Sequence, residues 1–297
     1  MATSSSTTTV LNSVTISAWS TADVAAFGQS QLAKLSMAQV GFLSATQIGA
    51  MTSAGLPGLS LKGVKSDQIA ALSFDQIRVL SVSQVGGIPP SSMVSLATAA
   101  LSGLYTQQFR AFTTAQMAAL TTAQAYWMST AQVQALTTAQ FAALRTGQVA
   151  ALGTSQVAAI QTDDLVALDT AQLRALNSDQ VVSLITDQVS ALTTLQAAGL
   201  VTATAYALST AQVLALNTAN VVVLSTSSLR ALATDRIKVL STSQVAVLTT
   251  GQAASLSNAH LNTLGTAQVV ALRTDDIAAF GTASVQALWT SQVQGLS

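Results

Sequence analysis

The chain repeats itself every eight residues. From Leu72 to Leu296 every eighth position is Leu, Ile, Met or Phe, without a slip. An earlier set (Trp19, Phe27, Leu35, Leu43, Met51, Leu59) keeps the same period in another phase. The two sets are offset within GLPGLSLKGVK, residues 55–65, where a proline and three glycines allow the chain to jog. Fixed-period repetition identifies a repeat architecture, here one array with a dislocation.

Period eight excludes a long helix, because at about 100° per residue the apolar stripe drifts by about 80° per repeat. A strand fails differently. The second apolar slot (Val133, Phe141, Val149, Val157) stands three residues before the leucine slot. Odd spacing puts the two on opposite faces of a strand, whereas in a helix residues three apart share a face.

Each repeat therefore reads as a short helix, restarted. In LTTAQF, residues 136–141, Thr137 is the N-cap and Gln140 stands three later, the spacing of a capping box. Leu136 and Phe141 then take the N′ and N4 positions of a hydrophobic staple. The cap slot elsewhere holds Ser129, Asp169, Asn177 and Ser209, all cap-competent. The next slot is Thr almost throughout; either its hydroxyl bonds a neighbouring coil, or Thr is itself the cap with boundaries moved by one. Helices of about one and a half turns are unstable alone and must stack. The expected fold is an all-α solenoid of very short helices, one per eight-residue repeat.

The expected organisation is an N-terminal Ser/Thr-rich arm over residues 1–15, a first repeat block over 16–63, and the main solenoid in shifted register over 64–297. The array stops in register at ALWTSQVQGLS, residues 287–297, without an atypical capping repeat. An open end and an arm suggest heterologous stacking of subunits into an open-ended homo-oligomeric filament. The assembly surface is assigned to Val10, Leu11, Val14, Ile16 and Trp19 at one end, and to Leu288, Trp289, Val293 and Leu296 at the other.

Composition removes several functions. Eleven Lys and Arg balance eleven acidic residues, all of them Asp, in 297 residues. No basic cluster favours nucleic acid or an anionic membrane. Cysteine is absent, which excludes disulfides, thiolate catalysis and thiolate metal sites. No apolar run is long enough for membrane insertion, and the first thirty residues lack a cleaved signal peptide, so an extracellular or cell-surface location implies another export route.

No catalytic, cofactor-binding or metal-binding residues are assigned, and the chain is expected not to be an enzyme. Asp163-Asp164 and Asp275-Asp276 are paired carboxylates, but both fall at helix positions N2 and N3, where the helix dipole favours Asp. His260 takes the Gln slot of its repeat with no visible triad or metal partner. Tyr126-Trp127, Trp289 and Trp19 add bulk that serves either a contact or local packing.

The recurrent LxTAQVxAL, as in residues 208–216 (LSTAQVLAL) and 264–272 (LGTAQVVAL), resembles repeats of large bacterial surface proteins commonly labelled haem-utilisation or adhesion proteins. The resemblance implies a bacterial extracellular setting, while a lone histidine gives haem no support. A structural filament subunit is the leading expectation. The alternative is an adhesin solenoid that binds glycan or another surface, and a glycosidase built from distant Asp residues ranks last.

Overall fold

A computed structural model describes residues 11–296. Among these residues there are thirty-four α-helices of four to six residues and two 3-10 turns, Leu56–Gly58 and Leu61–Gly63, and no strand. The fold is the expected all-α solenoid of very short helices. The chain divides into two compact units, Met1–Leu152 and Gly153–Ser297. Each is built in the same way.

Local chemistry sets each helix as its sequence predicts. Thr137 caps Thr138–Ala142: its hydroxyl accepts from the Gln140 N–H, and the Gln140 side chain accepts from the Thr137 N–H at 2.8 Å. The cap slot precedes the recurrent threonine, so that threonine is N1 and the shifted-boundary alternative is excluded. Its methyl has a use: Thr122 Cγ2 lies 3.6 Å from where Gly147 would carry a Cβ, and Thr226 Cγ2 lies 4.0 Å from the same point at Gly251. In each case the N1 methyl covers the N2 residue of a repeat 25 positions later, usually Ala.

The N4 and leucine slots turn inward. Phe141 and Leu144, or Val213 and Leu216, are buried, and such pairs form the narrow core along each unit. Within each unit, helices pack on the element three repeats later. Thr21–Ala25 meets Ala45–Ala50 in the first unit, and Thr202–Ala207 meets Thr226–Ala231 in the second. One coil thus takes about three helices.

Between coils the N3 glutamine carries most of the polar contact. Gln116 is fully buried. Its Oε1 accepts from the Thr113 N–H at 2.7 Å, while Nε2 donates to the carbonyls of Val85 at 2.9 Å and Ile88 at 2.7 Å. These acceptors are the N4 and leucine residues 31 and 28 positions earlier. A primary amide offers two donor hydrogens and an acceptor oxygen, and all three are used. The same pattern recurs at Gln124 and Gln148 in the first unit and at Gln188 and Gln244 in the second.

The dislocation is one repeat shortened to five residues. Leu56 and Leu59 occupy the N4 and leucine slots of one repeat, Leu61 and Val64 those of the next, and all four are buried. The two 3-10 turns replace α-helix here, yet stacking on the third element along persists: Gln29–Leu32 meets Leu56–Gly58, and Met37–Val40 meets Leu61–Gly63. Amide bonds spanning the jog shorten by three residues. Gln84 Nε2 reaches Leu56 and Leu59, now 28 and 25 positions back, at 2.9 and 2.8 Å. Glycine is required because a Cβ at Gly58 would stand 2.2 Å from the Gln29 carbonyl oxygen, and one at Gly63 2.2 Å from that of Met37.

The repeat also begins earlier than the sequence boundary at residue 16. Ser13–Ser17 is a helix capped by Asn12 and Thr15, and the Leu11 carbonyl accepts the Gln39 amide at 2.9 Å. Residues 11–15, assigned to the arm on sequence, therefore carry a repeat helix because Asn12 and Thr15 supply a local capping box. Residues 1–10 lie outside the described residues.

Candidate functional site

The amide ladder gives every coil a direction. In both units glutamine donors such as Gln116, Gln188 and Gln244 reach toward earlier residues, so a coil offers carbonyl acceptors on its later side and amide donors on its earlier side. The sequence-assigned assembly residues fall on the first coil of the first unit and the last coil of the second.

In the first unit, Ile16 is fully buried, so it is a core residue of its repeat rather than an outer contact. Val14 is 75% exposed. Trp19 is half-buried with its ring edge-on to Phe27 at 5.0 Å, and with Leu11, Gln31, Lys34 and Leu35 the pair lines an open cavity of about 160 Å³. Gln31 accepts the Gly28 N–H at 2.9 Å, and its amide nitrogen meets no carbonyl among the described residues. The other N3 groups of this coil are turned onto their own caps: Thr15 onto Asn12, and the Asp23 carboxylate onto the Ser20 N–H at 2.9 Å and hydroxyl at 2.7 Å. Those Ser20 bonds hold the Asp23 carboxyl below its ordinary pKa. Val10 lies outside the described residues.

In the second unit the apolar slots open progressively toward the later edge. Val269 and Leu272 are buried, Ile277, Phe280 and Leu288 are half-buried, and Val285 and Val293 are nearly half exposed. Leu296 is 39% exposed and, with Leu272 and Ile277, lines an open groove of about 410 Å³. Trp289 is 60% exposed and its indole N–H donates to the Asn262 carbonyl at 3.1 Å, which fixes the ring against the preceding coil. The carbonyls of Leu272, Phe280 and Leu288 receive no side-chain amide among the described residues.

The residues that invited catalytic or metal chemistry take structural places. His260 is a buried stand-in for glutamine. Its Nδ1 accepts from the Ser257 N–H at 3.4 Å, and the Leu232 carbonyl, 28 residues back, stands near the ring. Nδ1 accepts this bond only in the neutral imidazole that carries its proton on Nε2. Burial pushes the His260 pKa below 6.5; the nearby Leu232 carbonyl opposes this and the Arg230 charge adds to it.

Asp276 is also buried in the N3 slot. A carboxylate cannot donate, and Arg273 compensates. Its N–H and guanidinium bond Asp276 at 3.0 to 3.1 Å, while Nη2 donates at 2.9 Å to the Leu248 carbonyl that a glutamine would have reached. Burial pulls the Asp276 carboxyl upward, but the Arg273 bonds and a 3.0 Å bond from the Thr250 hydroxyl hold it below 3.8. Asp163 and Asp275 sit at N2 as expected. No group of three or more His, Cys, Asp or Glu comes together among the described residues.

Sequence reasoning missed the lateral role of the N3 glutamine. A signal was present: a capping box accepts Glu as readily as Gln, yet Glu is absent from the chain. Of the two, only the glutamine amide supplies donors to the preceding coil.

The ALTTAQ repeat family model matches residues 16–53, 127–154, 157–194 and 221–258. This match supports the repeat class and says nothing of haem. No curated protein matches the chain. Among solved structures, the leucine-rich repeat-containing protein LegL7 from Legionella pneumophila is similar at 12% identity over 76% of this chain and 77% of its own. With a TM-score of 0.19 the likeness carries no argument. No helix among the described residues is long and apolar enough to cross a membrane.

Proposed function

We propose that this repeat protein is a structural subunit of an extracellular bacterial filament or surface appendage, assembled head to tail without enzymatic activity. The observation that carries the reading is the one-way sense of the amide ladder. A stack continued from one copy to the next keeps that sense only if the later edge of one meets the earlier edge of another, which is a heterologous, non-closing contact. Ile277, Phe280, Val293 and Leu296 supply apolar area on the later edge, and Gln31 supplies an amide on the earlier one. Residues 1–10 flank that earlier edge in sequence and serve as the arm.

Electron microscopy and light scattering of the 297-residue chain test the proposal. Filaments lost on Val293→Lys, on Gln31→Ala or on removal of residues 1–10 support it. A monomer at every concentration sinks it.

A second reading, recognition of glycan or another surface, draws on Tyr126 and Trp127. Both rings are more than half exposed and stand edge to face at 5.6 Å. Sugar binding by the monomer that Trp127→Ala abolishes would favour this reading over the first.

A further inference from the structure

The amide ladder is not uniform, and its longest lapse lies inside the second unit. Flanking it, Gln196 and Gln244 each donate to the two regular carbonyls of the coil below, and each closes a capping box. Between them, four of the five N3 residues are not glutamine: Thr204, Asn220, Ser228 and Arg236. Only Gln212 keeps the full set of bonds.

The replacements do less at both ends of the side chain. Thr204 turns its hydroxyl onto Val201 of its own repeat. Asn220, Ser228 and Arg236 each reach a single leucine-slot carbonyl, those of Leu192, Leu200 and Leu208, at 2.8, 2.7 and 2.6 Å. The N4 carbonyls that should share the load, on Val189, Ala197 and Ala205, receive no side-chain donor. Asn220 is one methylene too short to reach back to its cap, so its Oδ1 is buried without a partner. Capping boxes are absent from Thr202–Ala207, Thr218–Val223, Thr226–Ala231 and Thr234–Lys238. Isolated or paired lapses occur elsewhere, as at Ser92 and Ala100 in the first unit, whose helices also lack capping boxes, but they do not fill three consecutive repeats; the Arg273–Asp276 pair restores both the cap acceptor and a donor to the coil below.

Asn220, Ser228 and Arg236 are consecutive, and three repeats make one coil. Every side of one coil-to-coil interface is therefore weakened at once. In an array whose stability is a sum of nearest-neighbour terms, that is where separation begins. We infer that the interface beneath residues 217–239 is a built-in yield joint, at which the solenoid opens before its neighbouring coils do. Opening exposes the Leu192, Leu200 and Leu208 carbonyls and their core leucines, leaving the paired amide bonds of Gln196 and Gln212 below and of Gln244 and Gln252 above to hold the rest and guide reclosure. In a load-bearing subunit this lets the chain extend without unravelling; that use rests on the structural reading above, while the joint itself does not.

Native-state hydrogen exchange on the full chain tests it. Amides of residues 218–238 should exchange at least about tenfold faster than those of 170–182 and 242–254, which lie away from the opening face. The triple variant Asn220→Gln, Ser228→Gln, Arg236→Gln should bring them level. Equal or slower exchange in the unmodified chain overturns the inference, whatever the variant does. So does a difference that survives in a folded triple variant. Filament formation is scored separately, so loss of the assembly reading leaves this result standing.

Discussion

The side-chain nitrogen of Gln116 lies 2.7 Å from the carbonyl oxygen of Ile88, a residue 28 positions earlier and one coil away. With the 2.9 Å bond to Val85 and the 2.7 Å bond from its own cap, this buried amide closes a helix and joins two coils at once. Each such bond contributes about 1 kcal/mol, and a buried group left unpaired costs about 1–3 kcal/mol.

Gln116→Ala should therefore destabilise the first unit by about 2 kcal/mol. Gln116→Glu should cost more, about 3 kcal/mol, because it sets a buried carboxylate against two carbonyl oxygens. Urea unfolding at neutral pH measures both. Glutamate tolerated as well as glutamine would show that the inter-coil donors contribute nothing.

His260 should make the second unit sensitive to mild acid. Its folded pKa is lowered, so the unfolded chain binds the proton first, and stability falls as pH drops below 6.5 toward the folded value, then levels off. Protonation turns Nδ1 from acceptor to donor against the Ser257 N–H. Thermal midpoints of the unmodified chain and of His260→Gln, compared from pH 7.5 to 5, should converge at the alkaline end and separate toward acid. Parallel curves would rule the effect out.

Asp276 should act in a more acidic window. Its folded pKa is also lowered, but for a carboxylate the stabilisation is present above 3.8 and is lost as pH falls through the lower folded value. Asp276→Gln should fold and lose this acid-dependent part, since Arg145 with Gln148 already shows an arginine cap served by glutamine. Acid titration followed by circular dichroism reads the difference.

At the shortened repeat, Gly58→Ala should destabilise the first unit by roughly 3 kcal/mol, since the new methyl meets main chain rather than a movable side chain. Gly281→Ala is the control, with nothing within 4 Å of the added carbon. Similar melting shifts for the two would mean that the 3-10 turns rearrange freely.

Much of this was legible in the chain. The spacing of Phe141 and Leu144, the Thr137–Gln140 capping box and the staple from Leu136 are interactions within one turn of backbone, so a repeated sequence states them repeatedly. The dislocation was legible too, as a phase change among glycines. The use of those glycines was not, because the carbonyls they avoid belong to Gln29 and Met37, far back along the chain.

The sequence by itself thus determined what is local: a short helix in every repeat, its cap, and the two slots that turn inward. Tertiary structure decided how many helices make a coil, where the second function of glutamine lies, and why Ile16 is core. It also divided the chain at Leu152 and Gly153, within an unbroken register that gives no warning of it. The physical reason is distance along the chain. Bonds across 25 to 31 residues depend on which coils stack, and a period of eight fits many stackings until burial of the leucine slots and pairing of the amides select one.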